Sequence, residues 1–110
     1  MLLGNKIRSL RDEQGILQRQ LAAYLEIDTP MFSKIERGDR RAKKSQVLLL
    51  AKYFHVDEKE MLILWLADKV LDALDGENEL GLEVIETVKC KFQDMQESSV
   101  MQICLNNIIK

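Results

Sequence analysis

The sequence has 110 residues, of which 46% are hydrophobic and 31% are charged. This length and balance are typical of one soluble globular domain with a short appendage, and no apolar run is long enough to cross a bilayer. The first residues lack the apolar core of a signal peptide, so the sequence predicts a cytoplasmic protein with no membrane partner.

Charge is divided unequally along the chain. Residues 1–56 contain 11 Lys and Arg against 6 Asp and Glu, whereas residues 57–110 contain 5 Lys, no Arg and 12 acidic residues. A basic surface attracts phosphate through the release of counterions, and an acidic surface repels it. The first half is therefore predicted to meet nucleic acid and the second half a different partner. A surface that is merely solvated would instead have basic residues throughout both halves.

The first predicted helix covers Leu3 to Gln14 and ends at Gly15. Leu3, Ile7 and Leu10 recur at the spacing of one buried helix face. This segment is expected to pack against the helices that follow it.

Two short helices joined by a tight turn come next. The first begins at Gln18, and the second begins at Asp28, a favourable N-cap, with Pro30 near its first position and Gly38 after its end. The second helix is predicted to bury Phe32 and to present its polar side outward. The residues expected on that outward side are Thr29, Met31, Ser33, Lys34 and Arg37.

The fourth predicted helix runs from Ser45, as its N-cap, to Phe54. His55 follows it, at a position where a left-handed backbone conformation is expected, and histidine tolerates that conformation better than a branched residue does. The only histidine of the chain is thus assigned a conformational role rather than a catalytic or ligand role.

A fifth helix is predicted to begin at Asp57 and to end at Gly76. Its side chains are apolar from Met61 to Ala67 without a break, which favours a helix that is covered on most sides. Part of that cover is expected to come from a second subunit.

A further helix is predicted from Glu79, with a short seam of coiled-coil type. The sequence Glu97-Ser98-Ser99 is compatible with a break and a new N-cap, and the apolar residues after it must either fold back on the fifth helix or pair with another copy. Two-fold pairing is favoured, because a two-fold dimer also fits DNA binding. The residues predicted for the dimer interface are Trp65, Ile85, Val88, Phe92, Met95, Ile103 and Ile108.

The segment from Gly4 to about Asp57 resembles the XRE family, the helix-turn-helix repressors of Cro/cI type. The residues that carry the resemblance are Ile7, Leu10, Arg11, Gly15, Gln18, Leu21-Ala22 and the run Ser33-Lys34-Ile35-Glu36-Arg37-Gly38. Two positions depart from the family pattern, because Leu17 replaces a capping Ser or Thr and Ala42 lies where a proline is usual. The resemblance implies an all-α fold, with a five-helix Cro/cI-like (lambda repressor-like) DNA-binding domain at residues 1–66 and a helical dimerisation extension at residues 67–110.

The resemblance also implies roles for individual residues. Arg11 and Glu36 are expected to form a structural ion pair between the first helix and the end of the recognition helix, which is the helix that begins at Asp28. The candidates for contact with DNA bases are Thr29, Pro30, Met31, Ser33, Lys34 and Arg37. The candidates for contact with phosphate are Gln18, Arg40, Arg41 and Lys43.

The sequence therefore predicts a sequence-specific regulator that binds double-stranded DNA as a homodimer on a near-palindromic operator. Its size resembles both the controller proteins of restriction-modification systems and antitoxins that repress their own operon. The alternative is a protein-interaction module that keeps the fold and neutralises a toxin or sequesters another regulator.

No arrangement in the sequence is typical of an enzyme, a metal site, a cofactor or a small-molecule substrate site. Cys90 and Cys104 are predicted to be reduced and buried.

Overall fold

The computed structural model describes the backbone of residues 1–109 and the side chains of residues 1–96. Residues 1–109 form six α-helices and no strand, which confirms the predicted all-α class. The helices are α1 (Leu2–Gln14), α2 (Gln18–Tyr24), α3 (Thr29–Arg37), α4 (Lys44–Phe54), α5 (Glu58–Ala73) and α6 (Gly81–Ile109). The chain divides into two compact units, Met1–Ala73 and Leu74–Lys110, called here the first unit and the second unit.

The first unit is built around one apolar core to which all five of its helices contribute. Its largest fully buried side chains are Ile7, Leu21, Phe32, Val47, Leu50 and Met61. Helix α1 also lies very close to the end of α3, because a Cβ atom added at Gly4 would lie 2.1 Å from the carbonyl oxygen of Glu36. Only glycine fits there without a backbone shift.

Asp68 connects α5 to the start of α1. Its carboxylate is buried and accepts hydrogen bonds from the backbone N–H groups of Leu2, at 2.8 Å, and Leu3, at 3.0 Å. These N–H groups have no partner within α1, so Asp68 supplies the cap that Met1 lacks and places a negative charge at a helix N-terminus. This contact lies within the first unit, which extends to Ala73. The division of the chain into functional domains at residue 66 stays a prediction.

The turn between α2 and α3 has the predicted chemistry. Asp28 is the N-cap of α3, and its Oδ1 accepts a hydrogen bond from the backbone N–H of Met31 at 2.7 Å. Gly38 ends the helix with a φ of 85°, in the left-handed region that glycine adopts without strain. His55 likewise has a φ of 56° after α4, as predicted.

The prediction that Ser45 caps α4 is wrong. The N-cap is Lys43, whose backbone N–H donates to Oε1 of Gln46 at 2.9 Å, so that Ser45 lies inside the first turn. Helix α2 begins in the same way, since the backbone N–H of Leu17 donates to Oε1 of Gln20 at 2.8 Å. In both cases a glutamine three residues further on supplies one half of a capping box, although the N-cap side chain cannot accept a hydrogen bond.

The second unit contains a turn and the long helix α6. This helix continues through residues 97–99, so the predicted break there is wrong. No glycine or proline interrupts it after Gly81, and serine is only mildly unfavourable inside a helix. Cys90 is exposed rather than buried as predicted. The predictions for Ile103, Cys104 and Ile108 fall outside the residues whose side chains are described.

Within the described residues, no helix is long and apolar enough to span a membrane.

Candidate nucleic-acid interface

Helix α3 has one buried side and one exposed side. Phe32 and Ile35 are buried in the core of the first unit, whereas Thr29, Lys34 and Arg37 on the other side are exposed. The burial of Phe32 and Ile35 fixes the rotation of the helix about its axis. It therefore presents hydroxyl, ammonium and guanidinium groups to solvent along one face.

The remaining base-contact candidates on α3 differ in accessibility. Pro30 is exposed, while Met31 and Ser33 are only half-buried and Met31 packs against the core. Met31 therefore offers less apolar surface to a thymine methyl group than the sequence suggested. Ser33 is partly accessible, and Lys34 is exposed.

Arg11 and Glu36 form the predicted ion pair between α1 and α3. The guanidinium of Arg11 donates from Nε to Oε2 of Glu36 at 2.9 Å and from Nη2 to Oε1 at 2.8 Å, and its Nη1 donates to the carbonyl oxygen of Ile16 at 3.1 Å. The side chains of Arg11 and Glu36 are only 14% and 5% exposed. The pKa of Arg11 is raised, mainly because it donates to Glu36, while burial acts in the opposite direction.

Gln18 belongs to the same network. It is the first residue of α2, and its Nε2 donates to Oε1 of Glu36 at 3.3 Å. One carboxylate thus joins the end of α1, the start of α2 and the end of α3, and it holds the two motif helices in a fixed relation. The contact between Gln18 and phosphate stays a prediction.

The segment from Gly38 to Lys43, called here the basic loop, follows α3 directly. Arg40, Arg41 and Lys43 are exposed in it. The backbone N–H groups of Asp39 and Arg40 donate to the carbonyl oxygen of Lys34, at 2.8 and 3.3 Å, so the start of the loop is bonded to the last turn of α3. The loop therefore presents three cations next to the exposed face of α3.

Helix α5 holds the other end of the basic loop. Nε1 of Trp65 donates to the carbonyl oxygen of Ala42 at 2.8 Å, and Nη2 of Arg41 donates to Oδ2 of Asp72. Trp65 is half-buried, and Nζ of Lys69 lies 3.7 Å from the centroid of its ring system. Trp65 was predicted for the dimer interface, and the structure gives it contacts within its own unit.

The sequence pattern predicts no role for Asp68 or Asp72. Both interrupt a helix that is otherwise mostly apolar from Met61 to Leu74. Because a charged residue is seldom buried without a partner, an acid in such a helix is a signal for a specific contact. This signal applies to the buried Asp68 and not to Asp72, which is half exposed. The sequence does not identify the partners, which lie 66 residues away for Asp68 and Leu2 and 31 residues away for Asp72 and Arg41.

A family model described as helix-turn-helix matches residues 7–61, from within α1 to the first turn of α5. This chain belongs to the Cro/cI-type helix-turn-helix family. The matched span contains every residue of α2, the turn, α3 and the basic loop, so this helix-turn-helix unit carries all the candidates for contact with DNA. No curated protein and no solved structure was found to match the chain.

The helix-turn-helix match supports a DNA-binding regulator. Among the described residues, no three His, Cys, Asp or Glu side chains are grouped so that they could hold a metal ion. What the described site offers is a solvent-facing surface of hydrogen-bond donors and positive charges, which is suited to recognition of a polyanion.

Proposed function

We propose that this protein is a sequence-specific transcriptional regulator that binds an operator as a homodimer. In this proposal the first unit contacts DNA and the second unit joins two copies. The observation that carries the proposal is the exposed polar face of α3 beside the basic loop, on a unit whose apolar core is already closed. Such a protein occludes a promoter or recruits polymerase to it by occupying the operator, with no chemistry of its own.

Base recognition is assigned to the exposed face of α3. In helix-turn-helix proteins the second helix lies in the major groove and its exposed residues reach base edges. Lys34 is the first candidate for contact with a guanine edge, because it is exposed and carries an ammonium donor, and the hydroxyls of Thr29 and Ser33 are able to bond to several bases. Pro30 and the accessible part of Met31 would contact thymine methyl groups, and Arg37 reaches the groove if its ion pair with Asp39, at 3.2 Å, opens.

Phosphate contact is assigned to the basic loop. Arg40, Arg41 and Lys43 all follow the recognition helix directly and are exposed. Contacts of this kind fix the orientation of a protein on the duplex without reading its sequence. Gln18, at the first position of α2, is a further candidate.

Dimerisation is assigned to the second unit. Ile85, Val88, Phe92 and Met95 follow one another at alternating spacings of three and four along α6, and they are between 42% and 58% exposed. A row of exposed apolar side chains at this spacing is suited to pairing with a second helix of the same kind. A two-fold dimer presents two recognition helices, so its operator is expected to be a near-palindrome.

The biological setting proposed is a restriction-modification controller or an antitoxin that represses its own operon. The competing function is an interaction module that neutralises a toxin or sequesters another regulator, and the acidic second half of the chain favours it. The exposed basic loop supports the DNA-binding proposal, because a module of that kind has no need of cations beside α3.

Selection of bound sequences from random duplex DNA tests this proposal. The wild-type protein is expected to enrich two inverted half-sites, whereas Phe92→Asp is expected to enrich a single half-site with weaker binding, because a carboxylate in the seam separates the copies. Gln93→Asp is the matched control, since it adds the same charge at an exposed neighbouring position outside the seam. Failure of the wild-type protein to enrich any sequence would refute the proposal, and paired half-sites with Phe92→Asp would place the dimer contact elsewhere.

A further inference from the structure

We infer that Asp72 acts as an internal substitute for phosphate, which pairs with Arg41 and so lowers the affinity of the helix-turn-helix unit for DNA. This inference rests on the proposed function. It assigns to α5 a role in setting the strength of DNA binding, in addition to its role in the core.

The pair of Arg41 and Asp72 is accessible to solvent. Arg41 lies in the basic loop and Asp72 lies in the last turn of α5, and Nη2 of Arg41 donates to Oδ2 of Asp72. The two side chains are 44% and 50% exposed, so the pair lies at the surface of the unit rather than inside it. DNA that reached the loop would therefore meet a guanidinium that already has an anionic partner.

Asp72 lies on a face of α5 that makes other contacts within the first unit. Trp65, Asp68 and Asp72 follow one another at spacings of three and four, so they lie on one side of the helix. Trp65 bonds to the loop at Ala42, and Asp68 caps α1. Two anchors on this face keep the turn of α5 that bears Asp72 beside the loop, and the contact with Arg41 is thus part of a fixed arrangement.

The carboxylate of Asp72 competes with phosphate for Arg41. A guanidinium bonds to either anion by the same N–H groups, so a phosphate must replace the carboxylate of Asp72 or share Arg41 with it. Sharing leaves two anions close together, which is unfavourable. Because an exposed ion pair contributes little free energy, DNA is able to displace Asp72, and the effect is to weaken binding rather than to prevent it.

The test is the affinity of the full-length protein for its selected operator and for random duplex DNA over a range of salt concentrations. Asp72→Asn is expected to bind both duplexes more tightly at low salt, by about two- to five-fold for each copy that contacts the DNA, a range set by the strength of exposed ion pairs. Its affinity is also expected to fall more steeply with salt, since Arg41 then displaces a further counterion. Asp72→Glu keeps the charge and is expected to behave like the wild-type protein.

Two further variants distinguish the loss of the ion pair from the change in net charge. Asp75→Asn makes the same change in net charge three residues further along the chain, and it is expected to have a smaller effect than Asp72→Asn. In an Arg41→Ala protein, Asp72→Asn is expected to raise the affinity for DNA by no more than Asp75→Asn does. The reason is that the guanidinium that Asp72 would otherwise hold is absent.

The outcomes are distinct. Tighter binding by Asp72→Asn than by Asp75→Asn, lost in the Arg41→Ala background, supports the inference. Equal binding by these two variants overturns it, and weaker binding by Asp72→Asn also overturns it, because Asp72 would then orient Arg41 towards phosphate. If the wild-type protein binds neither duplex at any salt concentration, the proposed function fails together with the inference.

Discussion

The two compact units differ in how far their apolar side chains are exposed to solvent. In the first unit Leu21, Phe32 and Leu50 have no accessible surface, whereas in the second unit Leu82 is 79% exposed and Phe92 is 58% exposed. The first unit closes its core with its own helices, but one side of α5 also carries apolar residues that are about half exposed: Ile63, Leu66 and Val70. Within the described residues, the second unit is one helix beside a turn, and a single helix cannot cover its own apolar side chains.

This difference separates two tasks along the chain. A unit that is already closed can present its polar surface to DNA, and that surface carries the basic loop. A unit with exposed apolar side chains and an excess of acidic residues is suited to a protein partner and not to DNA. In our proposal that partner is a second copy, so that recognition and dimerisation can be disrupted independently.

The largest expected effect comes from the same substitution made in each unit. Phe32→Ala leaves a cavity in the closed core and is expected to lower the free energy of unfolding by about 3–5 kcal/mol. Phe92→Ala removes an exposed ring and is expected to change the unfolding of the first unit by less than about 0.5 kcal/mol, while it weakens dimerisation. Trp65, the only tryptophan, lies in the first unit and reports its unfolding by fluorescence, and sedimentation at several protein concentrations reports dimerisation. A large loss of stability of the first unit in Phe92→Ala would contradict the separation.

The next effect concerns the ion pair that joins α1 to α3. Arg11→Met leaves the buried carboxylate of Glu36 without its main partner, and the free energy of unfolding is expected to fall by about 3 kcal/mol. Arg8→Met is the matched control, since Arg8 is exposed on the same helix and its loss is expected to matter little. The double variant Arg11→Met, Glu36→Leu is expected to recover most of the stability, because no unpaired charge remains buried. If Arg11→Met and Arg8→Met lower the free energy of unfolding by the same amount in chemical denaturation, the Arg11–Glu36 pair does not stabilise the helix-turn-helix unit.

A smaller effect distinguishes residues that contact bases from residues that contact phosphate within the first unit. Lys34→Ala is expected to weaken binding to the selected operator by about 1–3 kcal/mol and to relax the preference at one base pair. Arg40→Ala is expected to weaken binding to all sequences alike, because it removes a phosphate contact. Affinities for a set of operators with single base changes distinguish the two. Neither variant is expected to alter dimerisation, and a uniform loss with Lys34→Ala would assign that residue to the phosphate backbone.

What the sequence predicted well was local. The cap at Asp28, the helix end at Gly38 and the left-handed His55 follow from residue types at short spacing, and the residues on the exposed face of α3 follow from the periodicity of Phe32 and Ile35. The prediction for the start of α4 was wrong, because the helix is capped through a glutamine in its first turn and not through the expected serine.

What the sequence did not predict was the set of contacts made by α5. The cap on α1, the bond from Trp65 to the loop and the pair of Arg41 with Asp72 all join residues that lie far apart in the chain. Periodicity showed that this helix was unusually apolar, but it could not show which element lies against each side. The Arg11–Glu36 pair also joins residues that lie far apart in the chain, and it was expected only because of the family resemblance.

The salt dependence of binding to the selected operator tests most directly the claim that the first unit is a DNA-binding surface. The plot of log affinity against log salt concentration is expected to be linear. For a dimer, its slope is expected to be about −5 if Arg40, Arg41 and Lys43 of each copy contact phosphate, and about −4 if Arg41 stays paired with Asp72. Substitution of Arg40 by alanine is expected to make that slope shallower. A slope near zero, or no binding of duplex DNA at low salt, would contradict the account.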